Sequence, residues 1–343
     1  MRVLLDMAQL NTLSGGRGIG VYTKLLQQHL QMVEGVDLSL HDNGRPYDLV
    51  HYPYFDLFFH TLPLRKRQKT IVTIHDVIPL LFPAEYKPGV KGSVRFLQQR
   101  LSLFSVAAVI TDSESSKKDI ISHLGISEDK IHTIYLAGNP EIRKQPAEIQ
   151  KRVRLQRNLP GKFALYVGDI NYNKNLPRLI EACSMLPSDV HLVLVGRTVN
   201  STEIPEGRTL HSAIERFGMK QRTHLLTDVE NADELSAIFG LASVYVQPSL
   251  YEGFGLSVLD AMQCETPVVC SNVSSLPEVG GDAVVYVDPY NCTQMAQVIA
   301  KTISLNSTDR KAQRVKMQEN LLRFSWKKTA EQTVEVYRKV LGV

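Results

Sequence analysis

Short apolar runs rich in valine and isoleucine alternate with amphipathic helical stretches along the whole chain of 343 residues. Strands that are apolar throughout, and that helices separate, are typical of a parallel sheet covered on both faces. The predicted strands form two series, the first at 2–6, 36–41, 47–52, 70–76, 106–112 and 131–136, and the second at 163–168, 191–196, 223–227, 244–248, 267–271 and 283–287. Two such series predict an α/β protein with two doubly wound, Rossmann-like domains.

The boundary between the two predicted domains falls in the segment 139–161. This segment holds three prolines, a charged patch and no strand pattern. We therefore predict an N-terminal domain over 1–155 and a C-terminal domain over 156–324. A closing helix is predicted over Trp326–Leu341, within a last segment of 325–343.

The overall composition excludes several classes of protein. With 43% hydrophobic and 22% charged residues the chain is an ordinary globular protein. It has no apolar run of the roughly 20 residues that cross a bilayer, and no secretion signal follows the first strand. We therefore expect a cytoplasmic protein. A net charge of +4 is too small for a typical nucleic-acid-binding protein.

Positive charge is locally dense in the first predicted domain. One basic group is Arg65–Lys69, and a second comprises Lys87, Lys91, Arg95 and Arg100. A solvated surface explains both groups. The alternative is attraction to the phosphate groups of a ligand or to the inner, anionic face of a membrane, with peripheral association there.

The segment 252–260, Glu-Gly-Phe-Gly-Leu-Ser-Val-Leu-Asp, carries the most specific pattern in the chain. It follows the predicted strand 244–248, and a helix is predicted to begin near Ser257. Ligands of open α/β sheets bind at the carboxyl ends of the strands. Glycines at 253 and 255 let the backbone approach a ligand closely, and the amides that begin a helix suit a diphosphate.

The two acidic residues of this segment differ in the structural roles that the sequence predicts for them. Glu252 is a loop acid, and the sequence predicts no structural role for it. Asp260 has one, because Ser257-x-x-Asp260 fits a capping box in the first turn of the helix. A ligand contact is the alternative for Asp260.

A second polar loop follows the strand that ends at Gly168. Asn175 is predicted to cap a helix that begins near Leu176. Lys174 then lies beside a helix N-terminus, where a cation opposes the helix dipole unless an anion joins it. Such a local conflict is expected at a functional site.

The first predicted domain contributes a glycine-rich loop, Gly15-Gly16-Arg17-Gly18-Ile19-Gly20, before a predicted helix over 20–33. Glycines before a helix suit the approach of a phosphate. Their order does not fit Gly-x-Gly-x-x-Gly, which weighs against a dinucleotide oxidoreductase. His75 ends the strand 70–76, where a histidine is either packed, solvated or functional. Ser113 is predicted to cap the helix after strand 106–112.

Several catalytic motifs do not occur in the sequence. It contains no Asp-x-Asp, His-Glu-x-x-His, Gly-x-x-x-x-Gly-Lys-Ser/Thr, Gly-x-Ser-x-Gly or Cys-x-x-Cys. Metal-assisted, P-loop and esterase chemistries are therefore disfavoured, and we predict no metal site.

Taken together, these elements resemble the retaining glycosyltransferases of family 4, which have the GT-B fold of two Rossmann-like domains facing across a cleft. The family pattern of Glu, seven residues and Glu is matched at Glu252, with Asp260 in place of the second acid. The family's Gly-Arg…Lys-Asn element is matched at Lys174, with Asp169 in place of the arginine. The glycine-rich loop, His75 and the closing helix, which in the family crosses back to the first domain, extend the resemblance.

The resemblance implies transfer of a hexose, with retained anomeric configuration, from a nucleotide diphosphate sugar. The acceptor would be a hydroxyl of a saccharide or lipid-linked saccharide, in polysaccharide or glycolipid biosynthesis. No cofactor is expected, since the sugar nucleotide is a co-substrate. UDP-glucose and GDP-mannose are both reasonable donors, with a slight preference for UDP-glucose. A sugar-nucleotide epimerase of the same fold and a non-catalytic nucleotide-sugar binding module are the alternatives.

The resemblance also implies roles for individual residues. Glu252 would orient the donor sugar, Lys174 would neutralise the diphosphate, and His75 would orient the sugar and support positive charge on its ring. The implied donor-binding residues are Gly18, Gly20, Asn173, Val229, Phe254, Gly255, Leu256 and Asp260. Arg17 or Arg197 would supply the charge that is missing at Asp169.

Overall fold

The computed structural model describes residues 1–7, 18–42, 44–229 and 231–343. These residues form two compact units, one of Met1–Ala137 with Phe324–Val343 and the other of Gly138–Arg323. Within the part described, each unit holds a parallel sheet of six strands with helices between them. All twelve predicted strands are present, and both units have the predicted Rossmann-like arrangement.

The first unit begins with alternating strands and helices. Its strands are β1 (Arg2–Leu5), β2 (Asp37–Ser39), β3 (Leu49–Tyr52), β4 (Lys69–Thr73), β5 (Ala108–Thr111) and β6 (Ile131–Thr133). Its helices up to Ala137 are α1 (Gly18–Leu30), α2 (Ile78–Leu81), α3 (Gly89–Leu103) and α4 (Glu114–Leu124). The strand order is β2-β1-β3-β4-β5-β6. The chain thus leaves β1 in one direction and returns to its other side at β3.

Apolar side chains on both faces hold this sheet in place. Ile71 and Val72 on β4 and Val109 on β5 are fully buried, as the apolar sequence of these interior strands predicts. The predicted cap of α4 is confirmed, because the Ser113 hydroxyl accepts a hydrogen bond of 3.0 Å from the Ser116 amide.

The second unit repeats the arrangement. Its strands are β7 (Phe163–Val167), β8 (His191–Val195), β9 (Thr223–Leu226), β10 (Val244–Gln247), β11 (Val268–Ser271) and β12 (Val285–Val287). Its helices are α5 (Ala147–Gln156), α6 (Leu176–Ser184), α7 (Pro205–Arg216), α8 (Ala232–Leu241), α9 (Leu256–Gln263), α10 (Leu276–Gly280), α11 (Cys292–Ile303) and α12 (Ser307–Leu321). The strand order is β12-β11-β10-β7-β8-β9. The direction of winding therefore reverses between β7 and β10.

The boundary of the second unit lies between Ala137 and Gly138, earlier than the division after residue 155 that the sequence predicts. The intervening segment has no strand pattern, yet it belongs to the second unit. The Gln263 side-chain amide on α9 donates hydrogen bonds to the carbonyls of Asn139 (3.0 Å) and Ile142 (2.8 Å). These contacts join residues far apart in sequence, so local composition does not reveal them.

The last helix, α13 (Trp326–Leu341), belongs to the first unit. Its Thr329 hydroxyl donates a hydrogen bond of 2.7 Å to the Tyr135 carbonyl, and its Trp326 ring lies 6.2 Å from the ring of Tyr22 on α1. Among the described residues, no helix is both long and apolar enough to span a membrane.

Candidate functional site

The loops that follow β7 and β10 lie side by side at the carboxyl edge of the second sheet. The two strands are neighbours, and the winding reverses between them. Open α/β sheets bind their ligands at such a reversal. The Leu250 amide donates to the Asn173 carbonyl (2.7 Å), and the Asn173 side-chain amide donates to the Tyr251 carbonyl (2.9 Å). Asn173, a predicted site residue, therefore joins the two loops.

Lys174 and Glu252 form an ion pair across these two loops. The Lys174 ammonium nitrogen lies 2.8 Å from each of the two carboxylate oxygens of Glu252. The side chains are 20% and 8% exposed, so the pair is largely removed from water. The anion that the sequence requires beside Lys174 is therefore supplied by the protein itself.

Glu252 is held by further polar groups that sequence reasoning missed. Its Oε1 atom also accepts hydrogen bonds from the Gln247 side-chain amide (2.5 Å) and the Ser249 hydroxyl (2.6 Å). Its backbone amide donates to the Ser274 hydroxyl (2.9 Å), and its carbonyl accepts from Ser275 (2.9 Å). The prediction that Glu252 has no structural role is therefore wrong. The polar residues at the end of β10 were the available signal.

Asn175 occupies the N-cap position of α6, as predicted, but its side chain makes no capping hydrogen bond. Its backbone is left-handed, with φ of 59°. Its side-chain amide instead donates to the carbonyls of Pro248 (2.9 Å) and Pro289 (2.7 Å), and its side-chain oxygen accepts from Arg178 (2.9 Å). Asn175 thus fastens the loop that carries Lys174 to the loops after β10 and β12.

Helix α9 begins directly after the Gly-Phe-Gly sequence. Gly255 occupies the position before the helix with φ of 113°, and no side chain caps the helix start. An added Cβ at Gly255 would lie 3.0 Å from a Leu276 methyl carbon. Phe254 is buried and its carbonyl accepts a hydrogen bond of 2.7 Å from Ser275, while Leu256 is the first residue of the helix.

Asp260 does not form the predicted capping box with Ser257, because Gly255 and not Ser257 occupies the N-cap position of α9. Its Oδ1 atom instead accepts a hydrogen bond of 2.9 Å from the Asn139 amide. Burial raises the pKa of Asp260 to about 7, although the Asn139 amide acts in the opposite direction. The carboxyl group lies one turn along α9 from the loop that holds Glu252.

The remaining predicted residues of this unit lie in neighbouring loops. Asp169 follows β7, and Arg197 follows β8. The two loops are joined by a hydrogen bond of 3.2 Å from the Ile170 amide to the Thr198 hydroxyl. Val229 follows β9, the edge strand, which is two strands from β7. Arg17 falls outside the described residues.

In the first unit, His75 follows β4 and bonds to an acid that sequence reasoning missed. Its Nδ1 atom lies 2.6 Å from Oδ2 of Asp112, which follows β5, and its Nε2 atom lies 3.2 Å from the Pro53 carbonyl oxygen. A carbonyl oxygen only accepts, so Nε2 carries a proton. Burial lowers the pKa of His75, but the Asp112 carboxylate outweighs it and leaves the pKa raised. The geometry favours an imidazolium.

A chain of buried hydroxyl and imidazole groups lies next to His75. The Tyr22 ring meets the His75 ring edge-on, with centroids 4.6 Å apart, and its hydroxyl lies 3.1 Å from that of Thr73. Thr73 lies 2.8 Å from Nε2 of His51, whose Nδ1 lies 2.7 Å from the Tyr337 hydroxyl on α13. Burial, with the nearby charge of His75, lowers the pKa of His51 to about 3, which keeps His51 neutral.

The predicted glycine-rich loop lies partly outside the described residues, since Gly15, Gly16 and Arg17 are not among them. Gly18 and Gly20 form part of the first turn of α1 rather than a loop. Within the described ranges, no place gathers three or more His, Cys, Asp or Glu side chains able to hold a metal ion.

Two family models cover most of the sequence. Residues 16–141 match the model of "Glycosyltransferase Family 4", and residues 148–321 match that of "Glycosyl transferases group 1". The chain belongs to these glycosyltransferases. The family expected from the sequence motifs is thereby confirmed.

Two relatives of this glycosyltransferase come from Escherichia coli. It is 32% identical to O-antigen chain mannosyltransferase B over 83% of its own length and 75% of that protein. It is 29% identical to the serotype-specific mannosyltransferase WbdA over 80% of its own length, but spans only 34% of that longer protein.

Solved structures share the fold of the glycosyltransferase. Sucrose-phosphate synthase from Thermosynechococcus elongatus has a TM-score of 0.76 and 18% identity, over 100% of this chain and 99% of the other. HepE from Anabaena, in complex with UDP-glucose, has a TM-score of 0.73 and 16% identity. The match covers 98% of this chain and 99% of HepE. The GT-B fold is thereby confirmed.

Proposed function

We propose that this glycosyltransferase moves a hexose, with retained anomeric configuration, from a nucleotide diphosphate sugar to a hydroxyl of a saccharide acceptor. Polysaccharide biosynthesis is the process that its relatives' names support. The observation that carries the proposal is the ion pair of Lys174 and Glu252 at the winding reversal of the second sheet. This is where a ligand of an open α/β sheet is expected.

Both residues of the ion pair can still bind the nucleotide sugar. An ammonium group has three N–H donors, and Lys174 directs two of them at the carboxylate of Glu252. The third has no partner among the residues that the structure describes, and we assign it to a diphosphate oxygen. Glu252 accepts three hydrogen bonds at Oε1 and one at Oε2. Each carboxylate oxygen has two lone pairs, so Oε1 is fully occupied, and Oε2, which accepts one bond, is the atom we assign to a sugar hydroxyl.

The start of α9 is the second element assigned to the donor. No side chain caps this helix, and uncapped amides at a helix N-terminus favour an anion. We assign them, with Phe254, Gly255 and Leu256, to the diphosphate and the sugar. Asp260, one turn further on, is assigned to the ribose. The Asp260 side chain is one methylene group shorter than the glutamate that the family pattern has at this position.

The proposed reaction breaks the bond between the anomeric carbon and the diphosphate oxygen and forms a bond to the acceptor oxygen. The sugar passes through an oxocarbenium-like transition state. The acceptor proton goes to the departing diphosphate oxygen. Lys174 and the helix amides stabilise the charge of the leaving group, which is electrostatic catalysis. No metal ion is required in this scheme, so full turnover in excess EDTA is expected.

His75 is assigned to the donor sugar from the first unit. The hydrogen bonds to Asp112 and the Pro53 carbonyl leave both ring nitrogens as donors. An imidazolium does not support a developing positive charge. We therefore favour the role of orienting a donor oxygen, which would replace the Pro53 carbonyl at Nε2 (3.2 Å), over that of stabilising the sugar cation.

A mannosyl donor of the GDP-mannose type is the first to test. Both relatives from Escherichia coli are named as mannosyltransferases. The UDP-glucose in the HepE structure belongs to a protein of 16% identity, which informs the fold alone. UDP-glucose is therefore the comparison donor.

The test begins with the melting temperature of the whole chain in the presence of GDP-mannose or UDP-glucose, since a ligand of the native state raises it. The donor that binds is then incubated with saccharide acceptors, and the anomeric configuration of the product is determined by NMR. Transfer with retention supports the proposal. Conversion of the donor to an epimer without acceptor supports the epimerase alternative, and binding without any transfer supports the binding module.

A further inference from the structure

Helix α3 (Gly89–Leu103) presents a row of large apolar side chains to solvent. The exposed fractions are 83% for Val90, 55% for Val94, 59% for Leu97, 52% for Leu101 and 66% for Phe104, the residue that ends the helix. Their spacing of four, three, four and three residues places all five along a single stripe. A surface helix normally packs such a stripe against the core.

The opposite face of α3 packs inward. Gly92, Gln99, Ser102 and Leu103 are buried there, and Leu103 belongs to the core of the first unit. The Gln99 side-chain amide donates to the Asp56 carbonyl (3.1 Å) and to the Thr61 hydroxyl (2.8 Å). The Gln99 amide nitrogen and the Ser102 hydroxyl, which donates to the Gln99 carbonyl (2.6 Å), thus find partners on the inward face, and α3 is held with its apolar stripe outward.

Lys66 fastens the end of α3 in this orientation. Its ammonium donates to the carbonyls of Pro63 (2.9 Å) and Ser102 (2.5 Å) and to the Ser105 hydroxyl (2.8 Å). Burial lowers the pKa of Lys66 to about 8. This lysine is thus a structural member of the basic group at 65–69, whereas Arg65, Arg67 and Lys69 are exposed.

Basic residues flank the apolar stripe on both sides. At about 100° per residue, Lys91 and Arg95 lie along one side of the stripe and Arg100 along the other, and all three are exposed. The helix contains no Asp or Glu. Lysine and arginine can lay their apolar stems along such a surface while their charged ends reach polar groups.

We propose that α3 binds an anionic lipid bilayer, lying in the plane of the interface with its apolar stripe in the acyl boundary and its cations on the headgroups. An apolar face bordered by basic residues is the pattern of an interfacial helix. Anionic headgroups complement the three helix cations and the exposed cations of the group at 65–69. A second copy of α3 on the same stripe would bring two basic rows together, which charge repulsion disfavours.

The experiment measures co-sedimentation of the whole chain with vesicles of phosphatidylcholine alone or with 30% phosphatidylglycerol. We expect binding to the anionic vesicles, at least tenfold weaker binding to the neutral ones, and loss of binding in high salt. Leu97→Glu with Leu101→Glu should reduce binding to anionic vesicles at least tenfold, and Lys91→Glu with Arg95→Glu should do the same.

The matched control is Leu155→Glu with Val315→Glu, which adds the same charge at exposed apolar positions of the second unit. It should bind vesicles like the wild type, and an unchanged melting temperature in all variants verifies folding. Equal loss in the control, or wild-type binding by the α3 variants, would overturn the proposal. A lipid-free dimer in sedimentation velocity that the α3 substitutions convert to monomer would also overturn the proposal. Vesicle binding needs no donor, so its failure is distinguishable from failure of the transfer activity.

Discussion

The ammonium of Lys174 lies 2.8 Å from both carboxylate oxygens of Glu252, although 78 positions separate the two residues in the chain. Each belongs to a different loop, and the two loops meet where the sheet of the second unit reverses its winding. The pair therefore has a structural role as well as its proposed role with the donor. Substitutions at these positions must separate the two roles.

A double-mutant cycle tests the structural role. Lys174→Met leaves the buried carboxylate of Glu252 without its cation and should lower the free energy of unfolding by about 2–3 kcal/mol. The loss is smaller than for a fully buried pair, because the Lys174 side chain is partly exposed to water. Adding Glu252→Gln removes the uncompensated charge and should restore part of the loss. The measurement is urea unfolding of the four proteins. Strictly additive losses would contradict the coupling.

The catalytic role is tested by Glu252→Gln alone. Glutamine keeps an oxygen for the hydrogen bonds from Gln247 and Ser249, but it carries no charge. We expect kcat/KM for the donor to fall at least tenfold, or about 1.4 kcal/mol of transition-state stabilisation. The matched control is Glu265→Gln, which breaks a surface ion pair with Lys144 (2.7 Å) and should leave kcat/KM unchanged. If both substitutions changed kcat/KM by the same factor, Glu252 would have no specific role in the mechanism.

The pair of His75 and Asp112 should make stability depend on pH. Burial lowers the pKa of His75, and the Asp112 charge and hydrogen bond raise it by more, so folding raises it overall. The folded chain then holds the proton more tightly than the unfolded chain. The contribution to stability is complete below about pH 6.5, the ordinary histidine pKa, and is lost as the pH rises through the folded value.

Asp112→Asn should flatten this part of the profile. The measurement is the melting temperature of both proteins between pH 5.5 and 9, where the difference between wild type and variant should shrink with rising pH. His75→Gln, which removes the titrating group, should give the same flattening. Parallel profiles for wild type and Asp112→Asn would show that the pair does not set the pKa.

The fold was predictable because most of the strands lie in short apolar runs of the sequence. Ile71 and Val72 in the first sheet, and Val269 in the second, are fully buried and lie in predicted strands. The sequence also marks where these strands end, and hence the edges at which Lys174, Glu252 and His75 lie. Local pattern is sufficient for those positions, because a parallel sheet gathers its carboxyl ends at one edge.

The partners of these residues were not predictable, since they come from distant parts of the chain. Asp260 has the spacing of a capping residue, but its acceptor oxygen is taken by the Asn139 amide, 121 positions away. Asparagine is a residue type that often caps helices, but the side-chain amide of Asn175 donates to the carbonyls of Pro248 and Pro289 instead. In both, a long-range hydrogen bond replaces the local one that propensity favours.

Gly255→Ala tests the backbone before α9. The φ of 113° is one that residues with a Cβ rarely adopt, and the new methyl would lie 3.0 Å from Leu276. We expect a loss of about 1–3 kcal/mol in the free energy of unfolding, together with weaker donor binding, because the helix start shifts. The matched control is Gly218→Ala, where φ is 65° and nothing lies within 4 Å of the added carbon. The control should lose some stability but no donor affinity.

Asp260→Asn tests the raised pKa of this carboxyl group. Burial raises it to about 7, from an ordinary value near 4. The folded chain therefore holds the acidic proton more tightly than the unfolded chain does. Stability falls as the pH rises between the two values, because the ionised form is disfavoured by burial.

Asparagine cannot ionise, and its side-chain oxygen can still accept the Asn139 amide. The variant should therefore gain stability relative to wild type, and the gain in melting temperature should be larger at pH 8 than at pH 5. Asp282→Asn, at an exposed position of the same unit, should show no such difference. If Asp260 also binds the donor ribose, the stabilised variant will bind the donor more weakly at pH 8, so that stability and affinity change in opposite directions. A variant with unchanged stability at both pH values would show that the carboxyl group is solvated and titrates normally.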